Sequence, residues 1–119
     1  MDKNILLFTT YLFFYFMTIR GVDFNIVHRS QPIMNNLSPD WPEENIVLSA
    51  LCYGDINRTL QLSIYDYDKH GKHLLMGGTE VTVASLVQTF KSGNSQLNIQ
   101  KKKKPTGKIN LHWAEIVNN

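Results

Sequence analysis

Residues 59–66 read TLQLSIYD. Leu60, Leu62 and Ile64 alternate with Gln61, Ser63 and Tyr65, the period of two expected of a strand with one buried face. Working back from this strand, YGDIN at 53–57 is a turn, residues 45–48 make a short strand, and NNLSPDWP at 35–42 is dense in turn formers. The two prolines there forbid a helix. FNIVHR at 24–29 follows the turn-like RGVD at 20–23 and reads as a strand pairing back on an earlier apolar run. Working forward, residues 68–73 are a polar loop, Leu74, Leu75 and Met76 re-enter the core, and 79–83 is another strand. Residues 84–90 suit one or two helical turns with Leu86, Val87 and Phe90 on one side, and 96–99 is short and extended. Gly107 then turns the chain into a last strand, in which Ile109, Leu111 and Trp113 are expected to point inward. About seven short strands separated by turn signals predict an all-β, antiparallel β-sandwich.

A chain of 119 residues has room for one domain, and no internal repeat or second domain is visible. Its 43% hydrophobic content supports a real core. The net charge is only +2, but its distribution is uneven: Lys101, Lys102, Lys103 and Lys104 are consecutive and Lys108 follows closely. Such a cluster is drawn to phosphates. The single cysteine, Cys52, cannot form an internal disulfide and fits a reducing compartment. It lies in the apolar run LSALCY at 48–53 and reads as a small core or edge residue. No histidine or electropositive pocket is identifiable beside it for a catalytic thiol, and no Cys/His spacing suits zinc.

The run ILLFTTYLFFYFM at 5–17 is too short for a transmembrane helix. Its aromatic and β-branched content suits a buried strand. It also has the length of a signal-peptide core or anchor segment, although it is barely basic in front and no small-x-small cleavage site follows.

Four segments, HRS at 28–30 with NNLSPDW at 35–41, LCYGD at 51–55, YDYDKHGKHLLMG at 65–77, and the lysine run followed by Gly107 and a final strand, resemble the second C2 domain of the copines, in the same order. The resemblance spans residues 10–115 and leaves 1–9 as a divergent N-terminal part of a single domain covering 1–119. It implies a C2-type sandwich whose end loops collect Ca2+ through aspartates, and whose loaded tip binds acidic phospholipid. The family's first strand is expected to be missing or replaced. The von Willebrand A-type domain that follows in a copine is not expected within this sequence.

Asp66 and Asp68 match the family's D-x-D pair, and their spacing puts both carboxylates on one face of an extended strand end. Six residues after Asp68, where many copines have an aspartate, stands Leu74. The segment FTTYLF at 8–13, where the other loop should lie, contains no acid. Ca2+ takes six to eight oxygens, and two carboxylates supply at most four. Calcium is therefore the one cofactor implied, bound weakly or not at all, and the bland reading of the acid pair is a remnant of an ancestral site. Lys69 and Lys72 make the same loop basic and favour a phosphate. For His70 and His73 the readings are plain loop residues or a pH-dependent phosphate contact. Each lysine near an anionic surface contributes about 1 kcal/mol, so Lys101, Lys102, Lys103, Lys104 and Lys108 suffice for weak docking without calcium. Alternatively they are a solvated loop that keeps a sheet edge from aggregating.

The expected function is thus a cytoplasmic, monomeric module, peripheral at the plasma membrane, that binds acidic phospholipid with weakened calcium dependence. The competing expectations are a protein-interaction scaffold and a fragment that has lost both activities. No enzyme is expected, because nucleophile–base pairs and phosphate-cradling glycine loops are missing from the sequence. Nucleic acid is not expected as a partner, since the lysine run lacks interleaved aromatics for stacking.

Overall fold

The computed structural model describes residues 3–10, 15–21, 25–29, 44–66, 70–93 and 96–118. In order these form β1 (Lys3–Thr10), β2 (Tyr15–Arg20), β3 (Ile26–Arg29), β4 (Glu44–Val47), α1 (Leu48–Cys52), β5 (Leu60–Asp66), β6 (Leu74–Val81), α2 (Val83–Lys91), β7 (Gln96–Lys101) and β8 (Lys104–Asn118). Every strand pairing is antiparallel, in the order β3-β2-β5-β6-β7-β8-β1-β4. The alternating stretch is the strand expected, with Leu60, Leu62 and Ile64 fully buried at its centre.

β6 and β7 share one register pair, Gly78↔Gln100, whereas the other neighbours run in register for three residues or more. The strand order folds over at that pair, giving two four-stranded layers with the core between them. Ile19, Leu60, Leu62 and Ile64 come from one layer, and Ile5, Ile99, Ile109, Leu111 and Ala114 from the other, in a single buried cluster. Glycine is needed at the joint. A Cβ on Gly78 would meet the Leu62 carbonyl at 2.8 Å, and one on Gly77 would run into Thr106 and Ile99. At the opposite side of the sandwich α1 touches β1, β3 and β4, so it closes over both ends of the strand order.

The β-sandwich expected from the sequence is present, with differences in detail. The apolar run at 5–17 supplies two strands rather than one, which raises the count from seven to eight. Ile5 and Ile19 are buried, β1 lies inside its layer, and no helix among the described residues is long and apolar enough to cross a membrane. The segments at 74–76 and 79–83 are largely one continuous strand, β6. Residues 84–90 are helical as expected, within α2. Its start is fixed by a reciprocal cap: Ser85 N–H donates to Thr82 Oγ1 and Thr82 N–H donates to Ser85 Oγ, each at 2.9 Å.

Trp113 departs from its expected inward position and is 43% exposed. The ladder with β1 pairs Phe8 with Trp113 and Thr9 with Leu111, so His112 is an extra residue on β8. One inserted residue reverses the side-chain alternation beyond it. Ile109 and Leu111 are buried before this bulge, and Ala114 after it. Trp113 instead packs its ring 4.9 Å from that of Phe90 on α2 and donates its indole N–H to the Glu115 carboxylate at 3.2 Å. Trp41 and the segment 35–42 lie outside the described residues.

Candidate functional site

The lysine run is the apex of the β7–β8 hairpin. Lys101 and Lys104 face each other as the last register pair, and Lys102 and Lys103 form a two-residue turn with φ of 52° and 66°. Positive φ at both central residues is the pattern of a type I′ turn, whose twist matches that of the flanking strands and which usually takes Asn-Gly or Gly-Gly. The strands impose it here: Ile99 and Ile109 are buried on either side, and Thr106 Oγ1 donates to the Ile99 carbonyl at 3.5 Å beside a bulge. Two side-chain-bearing residues held in the left-handed region cost about 1 kcal/mol or more each. Placing like charges directly across the ladder at Lys101 and Lys104 adds to the cost.

Antiparallel register then brings this apex to the end of the sandwich that carries the acid-bearing connection. Gly78 sits opposite Gln100, so the strand leading to Lys102 runs toward the start of β6. β6 begins at Leu74, the register partner of Asp66 at the end of β5. Lys72, Leu74, Lys102 and Lys103, all exposed, therefore emerge at one end of the molecule.

The expected site residues divide as follows. Lys102, Lys103 and Lys104 are exposed around the apex and Lys101 is half-buried beneath it. Lys108 stands apart on the outer face of β8, opposite Asn98, roughly 15 Å back from the tip at the usual rise per strand residue. Asp66 is half-buried at the end of β5, while Asp68 and Lys69 lie outside the described residues. Leu74 occupies the cross-strand place from which a carboxylate would share an ion with Asp66, but it is a leucine, 56% exposed. Among the described residues no three acids, histidines or cysteines gather where a metal could be held. The donors among the described residues thus do not complete a calcium shell.

Cys52 is a core residue, as expected, though it sits in α1 rather than in an extended segment. Its thiol donates to the Leu48 carbonyl at 3.5 Å, and burial pushes its pKa up. A raised pKa disfavours the thiolate that a cysteine nucleophile needs. Arg58 secures the turn that follows α1, its Nε donating to the Cys52 carbonyl at 3.2 Å and its guanidinium lying 5.3 Å from the Tyr53 ring centre.

Four uncharged or acidic residues join the lysines in a way no motif signals. Gln61, Thr79, Glu80 and Gln100 line a surface groove with Lys102 and Lys103, at the joint between the layers. They come from three strands and are separated by up to 42 positions from Lys103 (103 − 61).

The family model for the C2 domain matches residues 13–105. Among solved structures, the chain is similar to one described as BON1-C2B, with a TM-score of 0.78, 13% identity, and 98% of this chain and 92% of that one covered. It is also similar to a C2 domain of a plant extended synaptotagmin 1, with a TM-score of 0.61, 17% identity, and coverage of 97% and 91%. At these identities the two likenesses speak for the fold alone.

Proposed function

Since this chain belongs to the C2 domain family, a family of membrane- and Ca2+-binding modules, we propose that it is a copine-type peripheral module that docks on acidic phospholipid through the β7–β8 lysine hairpin. The hairpin is the observation that carries this reading. Two lysines in left-handed backbone and a facing lysine pair all lower stability, and they occur together at one exposed apex. Strain and charge repulsion concentrated at one place point to a role outside folding. An anionic surface supplies the missing partner for these ammonium groups, each worth about 1 kcal/mol there. The copine assignment rests on the motifs at 28–41, 51–55 and 65–77.

Calcium has a subordinate place in this reading. Asp66 remains, but its cross-strand partner is Leu74, so any ion is held weakly and docking is chiefly electrostatic. The module acts as a cytoplasmic monomer, peripheral at the plasma membrane, and performs no chemical step.

Co-sedimentation with phosphatidylserine vesicles tests this, run with Ca2+ and with chelator at low and physiological salt. The expected result is pelleting that ignores calcium and fades as salt rises, because screening weakens surface electrostatics. Pelleting that requires calcium would return the function to the acid-bearing connection. No pelleting in any condition overturns membrane docking and leaves a protein-binding scaffold or an inactive copy.

A further inference from the structure

The hairpin carries a threonine that plays no part in the proposed docking. Thr106 follows Lys103, Lys104 and Pro105, so lysines stand two and three residues before it. No other serine or threonine of the sequence has lysine or arginine at both of those places. Strand register sets the same residue apart. Ile99 pairs with Gly107 and Gln100 with Pro105, so Thr106 has no partner on β7 and is the bulged residue of β8. Pro105 has no N–H to give to the ladder. The turn above it holds Lys102 and Lys103 at positive φ, with Lys101 facing Lys104. Residues 102–106 are all exposed. The tip therefore opens at lower cost than the ladder below it, where Ile99 and Ile109 are buried. Thr106 Oγ1 donates to the Ile99 carbonyl at 3.5 Å, the outer limit of a hydrogen bond, so turning the hydroxyl outward forfeits little.

We propose that Thr106 is a phosphorylation site for a protein kinase that selects basic substrates, and that its phosphate releases the lysine hairpin from anionic surfaces. Two features select this class of enzyme. Lysines ahead of a hydroxyl complement an acidic substrate cleft, since charge pattern sets kinase–substrate pairing. A bulged, exposed tip can also be drawn out into the extended form that such a cleft takes. ATP supplies the phosphoryl group. Thr106 Oγ1 bonds to the γ-phosphorus as the bond from that phosphorus to the bridging oxygen breaks; ADP leaves, and the hydroxyl proton passes to the kinase's catalytic aspartate. The phosphothreonine carries a charge of about −1.5 to −2 at pH 7. Thr106 lies two residues from Lys104 and two from Lys108, about 7 Å along the strand in each direction. That is within the screening length of about 8 Å at physiological salt. The phosphate thus offsets up to two of the five lysine charges and itself repels an anionic surface. The release rests on the proposed docking; the modification does not.

Treatment of the whole chain with cyclic-AMP-dependent protein kinase and ATP, read by mass spectrometry, tests the modification without any membrane. The expected result is one added phosphate, at Thr106. K103A/K104A lowers kcat/KM for that reaction at least tenfold, T106S is still modified, and T106A is not. No phosphate on the folded chain, phosphate found only at other residues, or a rate indifferent to K103A/K104A overturns the proposal. Co-sedimentation with phosphatidylserine vesicles then compares the phosphorylated and unmodified chains. Phosphorylation weakens binding at least tenfold at low salt, and kinase treatment leaves the pelleting of T106A where it was. Equal pelleting of the two forms overturns the release. Phosphorylation at Thr106 without any pelleting of the unmodified chain sinks the docking reading, and the release with it, while the modification stands.

Discussion

Two connections lie at the same end of the sandwich and are built in opposite ways. The β5–β6 connection begins at Asp66 and ends at Leu74, and the place where a second carboxylate would face the first is apolar and exposed. The β7–β8 connection is the shortest a hairpin allows, tight and strained, and presents lysine at every one of its four closing positions. Among its described residues, one has a leucine where a second carboxylate would face Asp66; the other keeps like charges together at a cost in stability. On the proposed reading, charge on this end of the domain is supplied by lysine more than by a bound ion. The proposed docking on an anionic surface then does not wait for a calcium signal.

The largest expected effect comes from reversing the charge of the apex. K102E/K103E removes about 2 kcal/mol of attraction and adds a similar repulsion, so vesicle pelleting at low salt is abolished. D66N, at the other connection, leaves pelleting within about twofold. Equal losses in the two variants, measured in one co-sedimentation series, would erase the distinction drawn between the connections.

Gly78 joins the strands that lead to both, and G78A should disturb both at once. Its Cβ meets backbone at the Leu62 carbonyl and cannot be relieved by a rotamer change. Overpacking of this kind costs about 2 kcal/mol, visible as a lower midpoint in urea with an unchanged slope. A neutral substitution would show that the layers are less tightly joined than the geometry implies.

L74D places a carboxylate opposite Asp66, and is expected to raise calcium affinity about tenfold, or 1.4 kcal/mol. Calorimetric titration with CaCl2 reads the gain, and pelleting should become partly calcium-dependent. An unchanged calcium isotherm would mean that the connection lacks more than the one ligand.

The smallest effect is in the turn itself. K102N/K103G supplies the residues a type I′ turn prefers and should stabilise the fold by about 1 kcal/mol, raising Tm by about 4 °C. The same variant weakens vesicle binding. Stability and binding moving in opposite directions is the outcome that identifies the hairpin as strained for function; a variant that binds as well as the parent would make the lysines dispensable.

Much of this was legible in the sequence. The alternation of Leu60, Leu62 and Ile64, the turn at Tyr53 and Gly54, and the helix after Thr82 are local patterns. Local patterns survive folding when one buried face is enough to specify them. The helical turn of α1 was harder to see, because five apolar or small residues suit a strand as well as a helix. Trp113 was misplaced for a different reason. Its strand looks perfectly alternating, and only pairing with β1 makes His112 a bulge and turns the indole outward.

By itself, then, the sequence determined a β-sandwich of the C2 kind and a concentrated positive charge near the C-terminus, since each depends on residue type and short-range spacing. Tertiary structure alone decided that the lysines form a strained hairpin, that this hairpin shares an end of the molecule with Asp66 and Leu74, and that residues of β5, β6 and β7 line a groove beside it. Those facts follow from strand register across long stretches of chain, and register is set by which buried faces meet in the core, which no single segment contains.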